Sequence, residues 1–282
     1  MNNKKLITVL LALCSLLALV NHARAEETEP DKFKIALGGY ALGRYDSTMS
    51  LTEPTLGAGI SISPEDTLGI DTKQTVLRLD GYYRFNKKHA LTYSWYSINS
   101  TGDKSIEDDI SWVNKDGEEI TIRAGAQIQS LLDYDIFKVG YLWSFYHTDK
   151  VELAAGAGLH ITRIAVGLDV TAGVIDPPTA NRDTKEVDTT VPLPVLSFGL
   201  HYNVTPKFKW FLKTEVFAIA FDDWEGTYSD GTVGMEYRAW ENVGLGVGLG
   251  SNALKIVEDT NDYKFQYDNR ISGINLYVAG YF

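Results

Sequence analysis

The chain has little of what usually marks a soluble enzyme or a nucleic-acid binder. One cysteine, Cys14, occurs in 282 residues, so no intramolecular disulfide can form. Five histidines leave few candidate bases or metal ligands. The 26 basic residues are outnumbered by 37 acids, which argues against nucleic acid as a partner. Long apolar runs are missing as well. Beyond residues 6–20, no segment approaches the eighteen apolar residues of a membrane-spanning helix.

The apolar run at 6–20 follows Lys4 and Lys5 and precedes Ala23-Arg24-Ala25, with small residues at the cleavage-defining positions. This is the pattern of a secretory signal peptide over residues 1–25. The run is short for a membrane anchor. Cys14 sits inside it behind Leu13, so lipoprotein processing is not expected. Loss of Lys4, Lys5 and Arg24 leaves 23 bases against 37 acids, a formal charge of −14. The mature chain then has no cysteine for a thiolate metal site or a nucleophile.

What remains alternates with a period of two. Leu77, Leu79, Gly81, Tyr83 and Phe85 oppose Arg78, Asp80, Tyr82 and Arg84. Val243, Leu245, Val247 and Leu249 oppose Gly244, Gly246, Gly248 and Gly250. Ten such segments occur, at about 33–45, 75–85, 89–99, 130–146, 151–170, 191–203, 207–221, 232–240, 243–257 and 264–282. Their connections alternate between short turns (86–88, 148–150, 204–206, 241–242) and longer loops (46–74, 100–129, 171–190, 222–231, 258–263). Aromatic residues such as Tyr83, Phe85, Trp143, Phe145, Trp210 and Trp240 fall near segment ends, as interfacial girdles would.

The chain closes on Ile274, Leu276, Val278, Gly280 and Phe282 in one phase, with Tyr277, Ala279 and Tyr281 in the other. This ending resembles the last strand of bacterial (Gram-negative) outer-membrane β-barrel proteins of the small ten-stranded type, in which a terminal aromatic residue belongs to the assembly signal. The resemblance identifies no subfamily. The expected fold is all-β: a closed antiparallel transmembrane barrel of ten strands, with short periplasmic turns and long acidic extracellular loops. Eight or twelve strands are the alternatives, depending on whether residues 57–63 pair independently. Residues 26–32 would form a short periplasmic segment and 33–282 the barrel, placed in the outer membrane after export. Within the second loop, 110–113 and 120–122 flank Asn114-Lys115-Asp116-Gly117, a hairpin pattern.

If the apolar face meets lipid, the other face fills the barrel. That phase projects Lys34, Arg44, Arg78, Arg84, Lys138, Lys213 and Arg238 inward, against Asp80, Asp133, Asp135, Glu152, Glu215 and Glu236. A bulge near 136–137 and another near 162–163 are needed to keep Asp133, Asp135 and Lys138 in phase. The signs nearly cancel, and a narrow interior demands paired charges because an isolated buried ion costs several kcal/mol. The expected site is therefore structural: a charge network of Arg78, Asp80, Arg84, Lys213, Glu215, Glu236 and Arg238. Inward glycines of 244–250 make room for it.

Chemistry was weighed against this reading. Omptin proteases, also ten-stranded, use carboxylates and a histidine around an outer cleft. Here His89, His147 and His201 sit near short turns, and only His160 reaches mid-barrel. The pair Asp222-Asp223 has no base nearby, and His160 with Asp133 or Asp135 is a thin metal set. Neither a cofactor nor a catalytic residue is expected.

The long loops carry most of the acids, among them Glu107, Asp108, Asp109, Glu118, Glu119, Glu258 and Asp259, while the short turns hold Lys87, Lys88, Lys150 and Lys207. Expected partners are outer-membrane lipid and lipopolysaccharide, with divalent cations bridging, and the barrel-assembly machinery through the last strand. The favoured function is a non-enzymatic outer-membrane protein, structural or surface-binding. A small cation-preferring, porin-like pore is the alternative, and a surface hydrolase the third.

Overall fold

The computed structural model describes residues 31–52, 59–62, 69–70, 73–113, 119–172, 175–176, 185–260 and 264–282. The segment expected to be exported and cleaved lies outside these residues. The first seven strands are β1 (Phe33–Thr52), β2 (Gly59–Ile62), β3 (Thr75–Asn86), β4 (His89–Ser105), β5 (Ile110–Val113), β6 (Glu119–Ile122) and β7 (Gln127–His147). They are followed by β8 (Val151–Ala172), β9 (Ile175–Asp176), β10 (Lys185–Thr205), β11 (Phe208–Phe221), β12 (Trp224–Trp240), β13 (Val243–Asp259) and β14 (Lys264–Tyr281).

Ten of these close an antiparallel barrel in the order β1-β3-β4-β7-β8-β10-β11-β12-β13-β14, with β14 pairing back onto β1. The number is ten, not eight or twelve. The described residues of the segment around 57–63 form β2, which pairs with the upper part of β1. Closure is completed by the last residue: Phe33 and Phe282 exchange two backbone hydrogen bonds, each 2.9 Å. No sheet edge is left in the lower wall, where lipid could not satisfy one.

At one end the strands meet in tight turns set by local side chains. Asn86 Oδ1 accepts from the N–H groups of Lys88 and His89, and Thr205 Oγ1 from those of Lys207 and Phe208. Such side chains imitate a backbone turn, which fixes the reversal point. At the opposite end the strands run on past the barrel. There β5 and β6 pair as a hairpin, to which β9 adds a third strand. The expected loop 222–231 is strand instead. β11 and β12 continue to a two-residue turn at Asp222-Asp223, where Asp222 takes a positive φ of 55°. Aspartate tolerates that conformation better than most side chains.

The pattern along each strand inverts once. In the half nearer the short turns, apolar side chains face out: Leu37, Leu77, Phe137, Leu159, Leu249, Leu276 and Val278 are all exposed. In the other half apolar side chains face in, with Tyr45, Ile98, Ile128, Tyr134, Ile136 and Ile271 buried in one cluster. On β7 the switch falls at Lys138. Below it Tyr141 and Trp143 are exposed, whereas above it Leu132, Tyr134 and Ile136 point inward, with outward Phe137 at the boundary. This is what a strand does when it leaves hydrocarbon for water: the solvent outside becomes polar and the core inside becomes the dry side.

The inversion corrects three sequence-based placements. Asp133 and Asp135 lie on the outer face with Phe137, and Asp135 sits 3.9 Å from outward Arg163 of β8. No bulge occurs at 136–137 or 162–163; the register shifts of β7 fall between Gln127 and Ile128 and between Ser144 and Tyr146. Arg44 is also outside, paired with Asp46, because β1 slips register between Leu42 and Arg44.

Candidate functional site

The interior is built in three tiers. At the short-turn end a cavity of about 710 Å3 opens between the turns. Its inner wall is organised by Glu236 of β12, which is 3 % exposed. Lys34 Nζ donates to Glu236 Oε2 at 2.5 Å, and Lys209 Nζ lies 2.9 Å from Oε1. Tyr277 donates to Oε2 at 2.9 Å and Tyr281 to Oε1. These side chains reach one another because β13 offers no side chain at Gly244 and Gly246. A Cβ on Gly246 would strike the Tyr277 ring, and one on Gly244 would press on Tyr281 and Glu236. Beside this cluster Arg238 bonds Asp31 at 2.8 Å and covers the Tyr281 ring, with 4.1 Å to its centroid.

Across the cavity Arg84 donates to both carboxylate oxygens of Glu152 at 2.8 Å. His201 Nδ1 is 3.5 Å and His147 Nδ1 4.0 Å from the same carboxylate, and Ser144 Oγ donates to it at 2.5 Å. The serine hydroxyl is thus held by a carboxylate and not by an imidazole.

The second tier crosses the middle of the barrel. Arg78 makes a two-point contact with Asp80, at 2.8 and 3.1 Å, while its guanidinium rests against the edge-packed rings of Tyr40 and Tyr96. Lys138 reaches Asp230 at 2.7 Å and Glu215 at 3.1 Å. His160 Nε2 lies 2.8 Å from Glu215 Oε2, and its ring stands edge-on to Tyr228 at 4.8 Å. Asn252 donates to the Tyr228 hydroxyl at 2.5 Å. A void of about 100 Å3 lies beneath this layer.

The third tier is the apolar cluster named above. It is capped by Ile70, Ile106, Ile122 and Ala126, which arrive from connections at the long-loop end. Among the described residues these side chains fill the outer half of the interior, and the few polar groups buried with them include the Tyr45 and Tyr134 hydroxyls and the Asn269 amide.

The structure thus places all seven residues of the expected network inside. It joins Arg78 to Asp80, Arg84 to Glu152, Glu215 to Lys138 and His160, Glu236 to Lys34 and Lys209, and Arg238 to Asp31. Lys213 faces the cavity over the Phe211 ring. Three partners were missed. Lys209 shares the phase of Lys213 and Glu215 and was legible on that ground. Asp230 falls within the expected loop 222–231, since Asp222, Asp223 and Gly231 resemble turn residues. Asp31 precedes the strand, and nothing in the sequence marks it. Among the described residues no group of three or more side chains is arranged to hold a metal ion.

This architecture matches that of a solved structure. The outer membrane protease OmpT of Escherichia coli superposes with a TM-score of 0.57 at 10 % identity, over 91 % of this chain and 99 % of that one. The outer membrane protein OprG of Pseudomonas aeruginosa gives 0.32 at 13 % identity, over 92 % and 98 %. The fold is the ten-stranded outer-membrane β-barrel. At such identity the likeness extends to the fold and not to chemistry. No protein-family model and no curated sequence matches the chain.

Proposed function

We propose that the protein is an integral outer-membrane barrel with a closed lumen, non-enzymatic, whose work is structural or carried out by its outer surface. The observation that carries this reading is the stacking, among the described residues, of an ion-pair layer beneath a largely apolar packed core. Export by a signal peptide at 1–25 and assembly through the strand ending in Phe282 belong to the same reading. So do contacts of the acidic long-loop end with lipopolysaccharide through divalent cations. The cavity speaks against the cation-preferring pore. Its lining includes Lys34, Arg78, Arg84, Lys150, Lys207, Lys209, Lys213 and Arg238 against Asp31, Asp80, Asp149, Glu152 and Glu236. A path with that lining would favour anions.

The reading is tested by a Lys213→Cys variant in whole cells that lack general porins, treated with a small, charged, membrane-impermeant maleimide. Labelling should appear only after the outer membrane is permeabilised. Labelling of intact cells would show that the cavity communicates with the outside.

A further inference from the structure

The barrel wall is not equally sealed all round. β10 pairs with β8 continuously from Lys185 to Tyr202, and β11 with β12 from Phe208 to Phe221. Between β10 and β11, however, the ladder stops at Leu196–Val216. Above that pair, residues 185–195 of β10 and 217–221 of β11 face each other without pairing.

The cause is in the sequence. Pro192 and Pro194 lie within the unbroken β8 ladder, opposite Ile161 and Leu159. Proline has no N–H, so that ladder can be continuous only if both nitrogens point away from β8, toward β11. Leu196, in the same phase, is the last residue that pairs with β11. Extending its register sets Pro194 opposite Ala218 and Pro192 opposite Ala220, the next two positions where β10 would have to donate. The ladder ends where the donors end.

Between Pro192–Val195 and Phe217–Phe221 the seam is apolar, whereas further along β10 it turns polar at Asp188–Thr190. Leu196 and Val216 at its lower end are 67 % and 47 % exposed and continue the lipid-facing band. Leu193 and Val195 line the inner side of one lip. On the other, Phe217, Ile219 and Phe221 share the inward phase of Tyr228, which pairs with Phe217, yet Ile219 and Phe221 are 51 % and 74 % exposed. Inward-facing apolar side chains left uncovered beside a lipid-facing wall call for a hydrocarbon occupant.

We infer that the β10–β11 seam is a lateral portal that binds an acyl chain of the surrounding bilayer lipid, laid between Pro192–Val195 and Phe217–Phe221. The inference rests on the membrane reading above. The floor of the portal is the packed cluster of Leu193, Val195, Tyr228, Leu254 and Tyr267, so the chain lies within the wall and does not cross the lumen.

The test uses a bimane fluorophore on single cysteines in barrels refolded into vesicles whose lipid has brominated acyl chains. Quenching at Phe217→Cys should clearly exceed that at Ile98→Cys, an inward position behind the sealed β4–β7 ladder. Leu276→Cys, on the lipid face, should be quenched strongly. Loss of quenching at Leu276 would overturn the membrane reading and the portal with it. Quenching at Leu276 with no excess at Phe217 over Ile98 would overturn the portal alone. A second measurement needs no variant. In the native barrel the Ala218 and Ala220 amides, which face β10, should exchange at least about tenfold faster than the Phe217 and Ile219 amides paired to β12. Equal protection would overturn the open seam. Pro192→Ala with Pro194→Ala, which restores both donors, should bring the Phe217 quenching down to the Ile98 level; quenching that persists would mean that the prolines do not hold the seam open.

Discussion

Replacing Glu236 with alanine is the sharpest test of the interior network. The carboxylate accepts from Lys34, Tyr277 and Tyr281 and lies 2.9 Å from Lys209, with its own side chain 2 % exposed. Glu236→Ala leaves two ammonium groups and two hydroxyls facing a hole. Removing one partner of a buried ion pair costs about 3–5 kcal/mol, because the remaining charge is stranded. Here the cavity admits water to Lys34 and Lys209, whose side chains are 12 % and 26 % exposed, which sets the expected loss near the low end, about 3 kcal/mol. The measurement is a urea titration in lipid vesicles, followed by tryptophan fluorescence in both directions. Glu236→Gln should lose less, since an amide oxygen still accepts from the tyrosines. Adding Lys34→Met to Glu236→Ala removes one stranded charge and should recover about 1–2 kcal/mol as coupling. A Glu236→Ala barrel within about 0.5 kcal/mol of wild type, or additive behaviour with Lys34→Met, would refute the reasoning.

Three further outcomes follow from the same geometry. Gly246→Val should destabilise by about 1–3 kcal/mol in the same titration, because its side chain displaces Tyr277 from Glu236. Phe282→Ala keeps the backbone pair with Phe33 but loses the ring contact, whose centroids are 6.1 Å apart; it should slow assembly in cells, read as the fraction of folded barrel in the membrane. Beyond the barrel, the Ala124 N–H and then the Arg123 guanidinium hold the Asp109 carboxyl below its ordinary value of 3.8. A depressed carboxylate stabilises the fold above the unfolded pKa and loses that contribution as pH falls through the folded one. The amides at the base of the β5–β6 hairpin should therefore lose part of their protection as pH falls below the ordinary carboxylate range, while protection of β13 and β14 is unchanged.

The parts of the fold that were legible are those where lipid fixes the outer face. In β13 and β14 the alternation from Leu245 to Leu249 and from Ile274 to Val278 gave strand, phase and interior together. Misplacements fell where lipid no longer acts. Asp133 and Asp135 share a face with Phe137, and a single rule of apolar outside cannot hold for both sides of the inversion at Lys138. No bulge at 136–137 or 162–163 restores that rule; the slip lies in β1, beside Gly43, and turns Arg44 outward. Asp230 was hidden by its turn-like neighbours, yet it is the nearest carboxylate to Lys138. Pro192 and Pro194 were visible in the sequence, but their meaning depends on which neighbour each missing N–H faces, and that needs the register.

The closed lumen is the central claim, and conductance of the refolded barrel in a planar lipid bilayer tests it most directly. The expected record is flat: insertion without discrete openings, at either polarity, because the Arg78 and Lys138 layer and the core around Tyr134 and Ile98 leave no continuous water. Regular ohmic steps that scale with the number of inserted barrels, and that change when Arg78 or Lys213 is neutralised, would contradict it.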